Sequence, residues 1–132
     1  MELSRAIIES MPPVELKLSP LEEAVLRAIC ETHAADRASL EAQLSRATVL
    51  RRENTGVGFY TDFSVERTAK NHALGGERMR SGPAASVSGL KHGVGFILWL
   101  KEGYAHHLEG YSYGESTAGI DFEQVSFELV RE

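Results

Sequence analysis

Val94-Gly95-Phe96-Ile97-Leu98-Trp99-Leu100-Lys101-Glu102-Gly103-Tyr104-Ala105-His106-His107-Leu108-Glu109-Gly110-Tyr111-Ser112 is the stretch that decides the fold of this chain. Two runs rich in apolar and aromatic residues flank Lys101-Glu102-Gly103, a short polar turn whose last residue tolerates positive φ. That is the grammar of an antiparallel hairpin. Register then sorts the side chains, because a slip of one residue carries every one of them to the other face. A three-residue loop pairs Leu100 with Tyr104, Leu98 with His106 and Phe96 with Leu108, whereas a two-residue loop sets Leu98 against His107. The first register matches apolar with apolar better. It predicts His106 toward the core, with His107, Glu109 and Tyr111 on the opposite face beside Ile97 and Trp99.

The same grammar extends upstream. Val57, Phe59, Thr61 and Phe63 alternate with Gly58, Tyr60, Asp62 and Ser64, and the turns Asn54-Thr55-Gly56 and Lys91-His92-Gly93 also end in glycine. Strands are expected over 47–53, 57–63, 84–89, 94–100, 104–112 and 123–130, joined as a meander. Gly56-Val57-Gly58-Phe59 recurs as Gly93-Val94-Gly95-Phe96, but the flanks diverge. Shared turn grammar, with Val and Phe pointing inward, explains the likeness better than an internal repeat.

Ahead of the strands the period changes. Ser19 caps a helix, Pro20 suits its first position and Glu22 completes a capping box. Leu21, Val25, Ala28 and Ile29 form the apolar stripe. Leu40 and Leu44 predict a second helix over 35–46. Met11-Pro12-Pro13 followed by Val14, Leu16 and Leu18 reads as an extended arm over 1–19. Residues 64–83 read either as a mobile loop or as a short helix from Val65 to Leu74, stopped by Gly75-Gly76. Helices first and strands later give the α+β class. The expected architecture is two N-terminal helices packed on a five- or six-stranded, mainly antiparallel meander sheet, in a single domain spanning 1–132.

The chain has 132 residues, 42% of them hydrophobic, and 14 basic against 19 acidic side chains leave a net charge of -5. One core of ordinary size is feasible without disulfides or a structural metal. A net acidic chain argues against general nucleic-acid binding, where neutralising phosphates supplies most of the affinity. Its longest apolar run, from Gly93 to Leu100, is well short of the roughly 20 residues that span a bilayer. Glu2, Glu9 and Glu15 are unlike a signal peptide, and the single Cys30 has no internal disulfide partner. A cytoplasmic protein is expected, with no membrane or nucleic-acid partner.

Gly110-Tyr111-Ser112-Tyr113-Gly114 has the spacing of a nucleophile elbow, but no histidine follows Ser112 in the sequence and no helix signal follows Gly114. His107 and Glu109 stand two apart on a strand and so share a face, a geometry suited to an acid-base couple. A metal there needs a third ligand from Asp62, His72 or His92, and no established ligand spacing occurs. No metal and no cofactor are expected. His33 and His72 fall near expected helix ends, where the dipole favours them. Cys30 reads as a packed helix residue. Arg67, Lys70, Arg78 and Arg80 make 64–92 locally basic, five to two, and Arg78 and Arg80 beside Gly75-Gly76 are candidates for gripping an anion.

The face bearing Tyr60, Asp62, Ile97, Trp99 and Tyr111 mixes large apolar groups with titratable ones, and a fully solvated face rarely does so. Self-association through it, as a homodimer with an interaction or regulatory role, is the first functional expectation. The alternative is a small-molecule binder or enzyme using His107 and Glu109 in a pocket on the same face.

Overall fold

The computed structural model of the protein describes residues 17–67 and 73–130. Helix α1 (Pro20–Thr32) starts as the sequence dictates. The Ser19 hydroxyl accepts from the Glu22 amide at 3.2 Å, and Glu22 Oε1 accepts from the Ser19 amide at 2.7 Å. Helix α2 (Arg37–Leu44) is shorter at both ends than expected. Of the expected arm, residues 1–16 lie outside the described residues.

Among the described residues seven strands follow: β1 (Thr48–Asn54), β2 (Gly58–Ser64), β3 (Met79–Ser81), β4 (Ala85–Val87), β5 (Val94–Lys101), β6 (Tyr104–Ser112) and β7 (Phe127–Leu129). They build one open antiparallel sheet in the order β1-β2-β6-β5-β4-β7, with β3 also paired to β5. The α+β class and the N-terminal helices are as read from sequence. The strand count and connectivity differ. Among the described residues the sheet has seven strands rather than five or six, and β2 pairs with β6 instead of the next strand in sequence. Gly58 makes the unexpected junction possible, because at φ +147 it lies so close to Gly110 and Tyr111 that a Cβ would strike their backbone.

The segment 64–83 contributes β3, which sequence reading missed. Val65–Arg67 and Ala73–Leu74 are not helical, and the rest of the expected helix, 68–72, lies outside the described residues. Three residues are too few to show a strand period. Met79, Arg80 and Ser81 are held by pairing with Trp99, Leu98 and Ile97.

The inner face carries Phe59, Thr61, Phe63, Phe96, Leu98, Leu100 and Leu108, all buried beneath Leu21, Val25, Leu26 and Ile29 of α1 and Leu40 of α2. Phe59 stacks on Phe122 at 4.3 Å between centroids and meets Phe96 edge-on at 6.1 Å. Val57, expected to point inward with Phe59, is 65% exposed because Gly56-Val57 forms the turn and β2 begins only at Gly58.

The β5–β6 hairpin corrects the register reading. Its loop is two residues, Glu102 at φ 55 and Gly103 at φ 86, so Lys101 pairs with Tyr104 and Leu100 with Ala105. His106 is then an extra, bulged residue, and beyond it Trp99 pairs with His107, Leu98 with Leu108 and Phe96 with Gly110. Ala105 takes the buried place expected of His106, which is half-buried. Two one-residue shifts in the same direction restore the parity of the ladder. His107, Glu109 and Tyr111 therefore remain on one face with Ile97 and Trp99 even though the pairs differ.

Candidate functional site

Both helices lie on the inner side of the sheet, and the opposite face carries two cross-strand rows. One runs Arg51, Asp62, His107, Trp99, Met79; the other runs Glu53, Tyr60, Glu109, Ile97, Ser81. Tyr111 follows beside them, lying over Gly95, where any side chain would collide with its ring. Tyr60, Asp62, Ile97, Trp99, His107, Glu109 and Tyr111 are all half-buried. The rows bring together every residue expected on this face. They also settle the adjacency of Tyr60 and His107, which depends on the β2–β6 pairing.

The polar groups of the face are matched within it. His107 Nδ1 lies 2.5 Å from Asp62 Oδ1, and the Tyr60 ring stacks on the imidazole at 5.1 Å. Trp99 Nε1 donates to Glu109 Oε1 at 2.9 Å. The Arg51 guanidinium lies 5.4 Å from the centre of the Tyr60 ring and 3.6 Å from Glu53. A hydrogen bond to Glu53 also pushes the Tyr60 phenol above its ordinary pKa. The carboxylate beside His107 is thus Asp62. Glu109 is turned the other way, toward β5.

His106 and His107 have ring centres 6.0 Å apart. Burial, and then the neighbouring His107, hold His106 below the usual imidazole range. His92 sits at the far end of β5 from this pair, where its amide donates to Glu115. His33 at the end of α1 hydrogen-bonds the Ser81 carbonyl at 3.0 Å, and His72 lies outside the described residues. Among the described residues no group of three or more His, Cys, Asp and Glu side chains stands close enough to hold a metal ion.

The two candidate anion-binding arginines part company. Arg80 is 8% exposed, donates to Asp36 Oδ2 at 2.8 Å and caps the carbonyls of Gly75, Glu77 and Met79. Its guanidinium fastens 75–79 to the start of α2. Arg78 is exposed and borders an open cleft of about 560 Å³ with Trp99, Lys101, His106 and His107. Sequence reading missed Lys101 and His106 as members of this group, because their meeting with Arg78 depends on β3.

Ser112 of the glycine-rich stretch ends β6, and its hydroxyl donates to the Glu115 carbonyl at 2.6 Å with the Val57 carbonyl 3.0 Å away, so it closes a loop. Cys30 is buried, and burial pushes its thiol up to about 11. It helps floor a groove of about 440 Å³ between the helices, where Arg37 and Glu41 on the rim are paired with each other at 2.6 Å. No helix among the described residues is long and apolar enough to cross a membrane. No protein-family model matches the chain, and neither a curated protein nor a solved structure is significantly similar to it.

Proposed function

We propose that the protein is a small interaction module that self-associates through the outer face of its sheet, placing Tyr60, Ile97, Trp99 and Tyr111 against the same surface of a second copy. The observation that carries this reading is the internal matching of the face. Burying a polar group is costly unless it is already hydrogen-bonded, and here Asp62 meets His107 and Trp99 meets Glu109 before any partner arrives, while Arg51 and Glu53 stay exposed at the edge. Asp62 and Glu109 already have their donors, so an identical copy need supply none and meets mainly the apolar and aromatic area of Tyr60, Ile97, Trp99 and Tyr111.

Size sets the strength. Five strands at about 4.8 Å spacing and about six residues at about 3.4 Å make a face about 20 Å on each side. Stable interfaces take about 800 Å² from each partner, so the expected product is a weak, concentration-dependent dimer.

Sedimentation velocity across about 1 µM to about 1 mM tests this range. The weight-average coefficient should climb from monomer to dimer while Trp99 emission moves to shorter wavelength. Ile97→Lys should hold the protein monomeric with its circular dichroism unchanged. A wild-type chain that stays monomeric at the top of the range overturns the reading. The alternative, an acid-base couple of His107 with Glu109, draws less support because their hydrogen bonds turn them toward strands on opposite sides of β6.

A further inference from the structure

The cleft at the hairpin end of the outer face has a different character from the rest of it. On a chain of net charge -5 it gathers Arg78 and Lys101, neither of which makes an ion pair among the described residues. The acidic member of its lining, Glu102, is taken by Arg67 at 2.6 Å and adds little negative charge to the opening. Its aromatic walls are fixed in place. Trp99 is held through its ring nitrogen by Glu109 and His107 through Nδ1 by Asp62. The indole face and His107 Nε2 are what remain for a ligand. At about 560 Å³ the cleft has the volume of small-molecule sites.

We propose that this cleft binds a small anion joined to an aromatic or apolar body, a phosphate or carboxylate gripped by Arg78 and Lys101 with the body laid against Trp99. Charge-assisted hydrogen bonds from a guanidinium supply the specificity for the anion. Rings already locked by their neighbours lose little freedom on binding. The site goes beyond self-association, and because both use Trp99 it is open in the monomer and a second copy competes for it.

Phenyl phosphate is the first probe, titrated at a protein concentration where sedimentation shows monomer. Trp99 emission and the shift of its indole N–H resonance are the readouts. Saturable binding is expected with a dissociation constant of about 1 mM or tighter. Inorganic phosphate should bind about tenfold more weakly, and benzyl alcohol should not saturate. Arg78→Ala and, separately, Lys101→Ala should each weaken phenyl phosphate by about tenfold. Both positions are exposed, and unchanged circular dichroism shows that each variant is folded. An absence of saturable change, an equal response to benzyl alcohol, or unaltered affinity in both folded variants overturns the proposal.

Discussion

Glu22 has two jobs that one residue letter does not separate. It closes the capping box of α1, and its carboxylate is 1% exposed, where it accepts two hydrogen bonds from Arg52 at 2.8 Å and one from the Thr61 hydroxyl. Burial alone raises a carboxyl pKa, but the Arg52, Thr61 and Ser19 bonds outweigh it and hold Glu22 below the usual carboxylate range. A folded pKa beneath the unfolded one contributes stability that is complete above the unfolded value of about 4.5 and lost as pH falls through the lower folded value. Urea midpoints of the wild type should therefore drop as pH is lowered below about 4.5, and Glu22→Gln should flatten that part of the profile. At neutral pH the same substitution should cost about 1–3 kcal/mol, because it weakens the charge-assisted bonds to Arg52 while Glu123 and the Lys17 carbonyl still hold that guanidinium. The capping role was legible from Ser19-Pro20-Leu21-Glu22 alone. The ion pair was not, since it joins residues thirty positions apart.

At the scale of elements, the hairpin shows how a helix edits a sheet. Gln43 of α2 is fully buried, donates to the Gly103 carbonyl at 3.1 Å and accepts from the Ala105 amide at 2.9 Å. These bonds satisfy backbone groups beside the bulged His106. Gln43→Ala should leave the buried Ala105 amide wanting an acceptor, at about 1–3 kcal/mol, while the Gly103 carbonyl keeps the Leu74 amide at 2.8 Å. Its effect should appear as lower stability and faster exchange of the Ala105 amide, with α1 and β1 little changed. Alternation could not foresee this bulge, because its anchor is a polar residue on another element. Local signals performed better where local chemistry decides. The Ser19 cap, the glycine-ended turns and the long strands β2, β5 and β6 were readable. The three-residue β3 and the pairing of β2 with β6 depend on contacts across many residues, and the Asp62–His107 pair depends on them in turn.

At the scale of the whole molecule, the two proposals respond to salt in opposite ways. Two copies each carrying -5 repel at long range, and the Glu109 carboxylate, whose partner on the contact face is the neutral Trp99 indole, adds to that repulsion rather than to any attraction. Salt screens the long-range repulsion, with a Debye length of about 10 Å at about 0.1 M and about 3 Å at about 1 M. It has little to weaken in a contact whose polar groups are already satisfied. Dimerisation should therefore hold steady or tighten as ionic strength rises from about 0.05 M to about 0.5 M. Phenyl phosphate binding should weaken over the same range, since the exposed charges of Arg78 and Lys101 are screened from the anion. Sedimentation equilibrium and Trp99 titration at matched salt concentrations read the two separately. A dimer that dissociates steeply with salt means that unmatched opposite charges, not the aromatic rows around Ile97 and Trp99, hold the copies together.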